Sequence, residues 1–117
     1  MLSPEEVRRL ITIQLEGDVN SDGFDGFFLL SGDDTSETLA ALEAIGAHKT
    51  AAILRRARAK FPNATLPDDM EGRRALLLDV VNPDGTAFET EDADFYRYED
   101  DLEGMVSSYE SRWTQTT

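Results

Sequence analysis

Asp18, Asn20, Asp22 and Gly23 spell D-x-N-x-D-G, the opening half of an oxygen-ligated calcium loop. Such a loop takes ligands from its first, third and fifth positions and a bidentate carboxylate from its twelfth. Counted from Asp18, the twelfth residue is Leu29, which has no ligand oxygen. The eighth, ordinarily an inward-facing apolar residue, is Asp25. Around Asp84-Gly85 the defect is reversed, with Glu91 at the twelfth position but Val80 at the first. What remains of the calcium reading is a weak loop over residues 18–29. The preferred reading of EGDVNSDGFDGFF is an Asx-rich turn that caps a following aromatic helix.

Other chemistry has fewer residues to draw on. The chain contains no Cys and one histidine, His48, so any Ser-His or Cys-His pair would need that single imidazole or a missing thiol. His48 follows Gly46-Ala47 at a helix start with no acid nearby in sequence, and exposed capping is its expected role. Asp33-Asp34, Asp68-Asp69 and Asp100-Asp101 are adjacent carboxylates, but so acidic a chain produces such pairs by composition alone. No glycine-rich phosphate loop precedes a helix. The expectation is a non-enzyme with no catalytic residue, metal or cofactor.

Charge is the dominant signal. Asp and Glu total 24 against 11 Lys and Arg, a formal net charge of -13. Such a surface repels nucleic acid and anionic membranes and attracts basic partners through a field that salt screens. Disorder would also be acidic, but 40% of the residues are hydrophobic and fall at helical spacing. A competing account is host-wide adaptation to salt, because only Lys49 and Lys60 are lysines while the other basic residues are Arg. The longest apolar runs, FFLL and ALLL, are too short to span a bilayer. MLSPEEVRR lacks the arrangement of a signal peptide. A cytoplasmic location is the default expectation.

The elements that position these groups read as helices. Ser3-Pro4-Glu5-Glu6 is a helix start, with Ser3 and Glu6 as a capping box. Val7, Leu10, Ile11 and Leu15 continue it until Gly17, the expected stop. Phe24, Phe27 and Phe28 share one side of a short helix over 23–30. Asp34 and Glu37 form the next cap pair, and Leu39, Leu42 and Ile45 lead to Gly46 at a left-handed C-cap. A second helix over 48–61, ended by Pro62, completes a hairpin; Ile53, Leu54, Ala57 and Phe61 share its apolar arc. Residues 68–81 predict a helix burying Met70, Leu77, Leu78 and Val81. NPDG (82–85) marks a turn, with a small hairpin over 80–88 as the alternative to more helix. Residues 91–98 add a helical turn or two. Leu102, Met105, Val106, Tyr109 and Trp113 spell a closing helix. The expected architecture is all-α, a compact single-domain bundle over 1–117 of about five to seven helices.

VNSDGFDGFF with SGDD, then ETLAALEAIGAHKTAAILRRARAKFP, then FETEDADFY before a last helix, resembles the DNA-mimic-protein family, small acidic all-helical bacterial proteins. The resemblance covers about residues 14–109 and is most specific at Gly23-Phe24 with Phe27-Phe28, at 42–47, and at Asp94-Phe95-Tyr96. Asp22 stands where that family usually has a Gly, which is what creates the calcium-like spelling. The resemblance implies carboxylates spaced like phosphates and a basic DNA-binding protein as partner. Two acidic stretches supply the candidate face: Asp18, Asp22, Asp25, Asp33 and Asp34 from the first, and Glu89, Glu91, Asp92, Asp94, Glu99, Asp100, Asp101 and Glu103 from the second. The condition is that the two stretches lie side by side. Residues 44–67 contain no acid and carry Lys49, Arg55, Arg56, Arg58 and Lys60; the expectation is that this basic helix pairs with the acidic arms, or else binds an anion or a second subunit. The alternative function is an inhibitor or scaffold for a basic partner that does not bind DNA.

Overall fold

Helix starts and stops follow local chemistry in some places and tertiary packing in others. The computed structural model describes residues 2–115, and every regular element among them is helical. Helix α1 (Pro4–Arg8) begins as expected, with the Ser3 hydroxyl accepting the Glu6 N–H at 3.3 Å. The Glu6 carboxylate turns to Arg9, 3.0 Å away, so the reciprocal half of the box is not formed. The helix then widens into a π-helical stretch, Arg9–Glu16, and runs through Gly17 into α2 (Gly17–Ser31).

Gly17 therefore does not end the helix. An interior glycine weakens a helix by about 1 kcal/mol, and the buried Leu15 and Val19 on either side hold it. The interruption comes at Gly23, whose φ of 71° and ψ of -171° lie in a region essentially reserved for glycine. The expected VNSDG turn thus contracts to one residue. Beyond it Phe24, Phe27 and Phe28 are fully buried, as their spacing predicts. Phe24 meets Phe95 edge-on at 5.8 Å, while Phe28 meets Phe61 at 5.0 Å and Phe88 at 5.5 Å. These rings tie together segments far apart in sequence.

After a 3₁₀ turn at Gly32–Asp34, α3 (Thr35–Ala44) and α4 (His48–Arg58) form the expected hairpin. Gly46 has φ 82° and the Ala47 N–H returns to the Leu42 carbonyl at 2.9 Å. Leu39, Leu42, Ile45, Ile53, Leu54, Ala57 and Phe61 are buried. Asp34 does not cap α3 with its side chain. Its carboxylate faces Gln14 at 3.3 Å and Arg9 at 3.5 Å across the bundle.

Helix α5 (Met70–Leu76) continues as a π-helical turn, Leu77–Val81. Of the four residues expected to be buried here, only Leu77 is; Met70 and Leu78 are exposed and Val81 is half-buried. The interior position belongs to Arg73, whose guanidinium donates to the carbonyls of Leu29, Pro67 and Asp68 at 3.0, 3.0 and 2.6 Å. It satisfies carbonyls that a terminating helix and a loop leave without partners. The turn closes with the Gly85 N–H on the Asn82 carbonyl at 3.2 Å and leads to α6 (Glu89–Tyr96). Residues 77–81 are helical and no strand occurs among the described residues, so the hairpin alternative is excluded. In α7 (Leu102–Gln115) Leu102 and Val106 are buried, and Arg8 of α1 binds Glu103 at 3.2 Å and Glu110 at 2.8 Å.

The two glycines of α2 give opposite tests. A Cβ at Gly23 would lie 2.5 Å from the Asp92 carboxylate in a backbone conformation that side chains avoid, whereas one at Gly17 meets nothing within 4 Å. Gly23→Ala is expected to lower stability by about 2–3 kcal/mol and Gly17→Ala to raise it by about 0.5–1 kcal/mol. Urea unfolding of both variants checks this; a neutral Gly23→Ala would refute the kink.

Candidate functional site

The break at Gly23 leaves the next helical turn without a local side-chain cap. Asp92 of α6 supplies one from 68 residues away, accepting the Phe24 N–H at 2.8 Å. Tyr96 donates to the Val19 carbonyl at 2.8 Å. Tyr98 donates to Glu16 at 2.9 Å and accepts from the Asn20 amide at 2.9 Å. These bonds hold segment 16–25 against segment 89–98, so the two acidic stretches do adjoin. The resulting seam carries Glu16, Asp18, Asp22, Asp25, Glu89 and Asp92. None of them is ion-paired among the described residues.

Four of the seam acids, Glu16, Asp18, Asp25 and Asp92, have hydrogen-bond donors, and those donors are neutral. Ser31 donates to Asp18 at 2.8 Å and Asn82 to Asp25 at 2.8 Å. Burial pushes the Asp18 carboxyl above its ordinary value; the Ser31 bond pulls it back, and Asp22 pushes it up again. Burial likewise raises Asp92 against the pull of the Phe24 N–H, with Glu91 and Asp25 adding to the rise. Glu16 is raised by burial first, lowered by Tyr98, raised by Glu103 and lowered again by the nearby charge of Arg8. The Tyr96 hydroxyl is also held up, by burial and then by Asp92 and Asp22.

The remaining candidate acids are engaged elsewhere. Arg56 of α4 bonds Asp94 and lies 3.7 Å from Glu91, whose carboxylate Lys60 also reaches at 3.2 Å. Lys49 stands 3.7 Å from Glu99. The buried Asp100 accepts the N–H and hydroxyl of Thr50 at 2.7 and 2.9 Å, inside the first turn of α4. Glu103 is held by Arg8, Asp34 by Arg9, and Asp33 lies 3.9 Å from Arg73. Asp101 is exposed and accepts the Gly104 N–H at 3.2 Å. Helix α4 thus pairs with the acidic arm, and α6 presents two faces: Glu91 and Asp94 toward cations, Glu89 and Asp92 toward the seam. The two tyrosines were not among the candidate site residues, because their part comes from contacts about eighty residues distant in sequence.

The calcium alternative does not survive this geometry. Residues 18–29 lie within α2 and form no loop. Asp18 faces Ser31, Asn20 faces Tyr98, and no group of acids with metal-binding geometry occurs among the described residues. His48 is exposed with its Nδ1 3.2 Å from Glu43, an acid brought close by the Gly46 turn.

Fold and seam together define an acidic, all-helical protein whose uncancelled carboxylates line the junction of two helices. A sequence model described as DMP19-like protein matches residues 1–114, and the chain belongs to that family. No curated protein and no solved structure matches it. Among the described residues no helix is long and apolar enough to cross a membrane.

Because Glu16, Asp18 and Asp92 are raised in the folded state, the folded protein binds their protons more readily than the unfolded chain. Their contribution therefore raises stability as pH falls through the folded values, and it levels off below the unfolded ones. Glu6 and Glu110, lowered by Arg9 and Arg8, act in the opposite sense only at lower pH. Thermal melts taken stepwise from about pH 8 downward are expected to show this contribution growing as pH falls through the raised folded values of these carboxyls. Asp92→Asn, which keeps an oxygen for the Phe24 N–H, should flatten that rise and leave stability at pH 7 unchanged or higher. Asp92→Ala should lose about 1–2 kcal/mol. Equal losses for both variants would show that the charge itself holds the seam.

Proposed function

We propose that this chain is an acidic protein-binding module that occupies the DNA-binding surface of a basic regulator, with the α2–α6 seam as its contact face. Membership of the DMP19-like family, whose name stands for DNA mimic protein 19, supports that class of partner. A cytoplasmic site of action fits it. The observation that carries the reading is the shared seam of Glu16, Asp18, Asp22, Asp25, Glu89 and Asp92, of which Glu16, Asp18, Asp25 and Asp92 take hydrogen bonds from neutral donors.

Charge density supports it further. A helix rises about 1.5 Å per residue, so acids three or four apart stand about 5 Å apart along the axis. Two such rows side by side reach roughly one charge per 2.5 Å, against about 1.7 Å for duplex DNA. A cationic groove built for phosphates would meet a comparable field here, while the net charge of -13 disfavours nucleic acid itself as partner. A second reading, an inhibitor or scaffold for a basic protein that does not bind DNA, is favoured by exposed, unpaired acids outside the seam, among them Glu5, Glu37, Glu71 and Asp84.

The two readings separate by competition. The immobilised protein should capture DNA-binding proteins from host extract at low salt, and added duplex DNA should release them. The triple variant Asp22→Asn, Asp25→Asn, Glu89→Gln should associate about tenfold more slowly, with a smaller change in dissociation. Capture that includes no DNA-binding protein, or that duplex DNA leaves untouched, would overturn the decoy reading.

A further inference from the structure

Charge alone does not tell one basic surface from another. A protein that reads DNA in the major groove carries more than cations: Arg and Lys grip phosphates, and apolar side chains touch thymine methyl groups among the base edges. A decoy that answers both kinds of contact binds such a surface in preference to a merely basic one.

An apolar recess lies directly beside the seam. Between the second half of α2 and the α5 segment is a shallow groove of about 150 Å³, lined by Asp25, Leu29, Arg74, Leu77 and Leu78. Leu78 is 63% exposed, far more than a core leucine. Asp25 belongs to both features: it walls the groove and its charge raises the Asp92 carboxyl in the seam. Arg74 lies on the rim with its guanidinium 3.8 Å from the Met70 sulfur. Asp25 and Arg74 stand on the groove with opposite charges, so the negative field beside it comes from the seam that Asp25 shares.

We infer that this groove receives an apolar side chain projecting from the cationic face of the partner, and that Leu78 determines which basic surfaces the acidic seam accepts. The inference rests on the seam being the contact face, and the experiment keeps the two apart. Two fluorescent arginine-rich helical peptides, identical except for Leu or Ser at one central position, are titrated with the full chain at low salt. The Leu peptide is expected to bind about fivefold tighter, as partial burial of one leucine side chain allows. In Leu78→Ser that ratio should fall to about one while affinity for the Ser peptide stays unchanged; circular dichroism of the variant checks that the fold is kept at this exposed position. In Asp22→Asn, Glu89→Gln both peptides should weaken together with the ratio preserved. Equal binding of the two peptides to the native chain overturns the groove and leaves the seam standing. Failure of both peptides to bind overturns seam and groove alike. A native dimer in sedimentation that Leu78→Ser dissociates would assign the groove to a second copy of the chain and overturn the inference.

Discussion

The hydrogen bond from the Phe24 N–H to Asp92 is the constraint on which the arrangement depends. Gly23 breaks α2 in a conformation that only glycine adopts readily, and a glycine has no side chain with which to cap the turn that follows. The Phe24 N–H of that turn, part-buried, needs an acceptor, and α6 carries it. Once Asp92 is in place, α6 must lie along α2. Phe95 then falls against Phe24, and the aromatic rings from α2, α6 and the end of α4 close over the core. One residue without a Cβ thus decides which two helices meet.

That junction satisfies carboxylates without neutralising them. Asp18, Asp25, Asp92 and Glu16 receive hydrogen bonds from a hydroxyl, an amide, a backbone N–H and a phenol. Each donor removes part of the desolvation penalty but leaves the charge in place. On the other face of α6, Glu91 and Asp94 meet Arg56 and Lys60, and their fields are cancelled within a few ångströms. The helix therefore separates carboxylates that stabilise the bundle from carboxylates that project a field. Net charge alone could not have separated them.

Periodicity in the sequence was sufficient for the α3–α4 hairpin, the Phe24–Phe28 helix and the buried face of α7, because each is an apolar stripe against one core. It failed where a polar group holds an interior or capping position. Arg73 occupies the place expected for α5 leucines because carbonyls from α2 and the 67–68 loop need donors, and no helical wheel shows a need created by another segment. Asp34 faces Arg9 rather than its own helix, and Gly17 is carried through by the core contacts of its neighbours. The two acidic stretches were legible from composition, but their juxtaposition and the split between paired and unpaired acids were not. That split depends on which face of α6 meets α4, a fact of packing.

Host-wide adaptation to salt and a dedicated binding surface place different demands on a carboxylate. Adaptation of a surface to its solvent puts acids in water, where ionisation is easy, and Glu5, Glu37 and Asp84 are of that kind. Glu16, Asp18 and Asp92 are not: they are partly buried, crowded by other acids and held above their ordinary titration range. Such a cluster opposes folding at neutral pH, and solubility offers no reason to retain it. Burial is the main cause of the rise, and the neutral donors around these groups leave charge that a cationic surface laid over them would meet. On that ground the seam, rather than the total of acidic residues, is the feature that favours a dedicated basic partner.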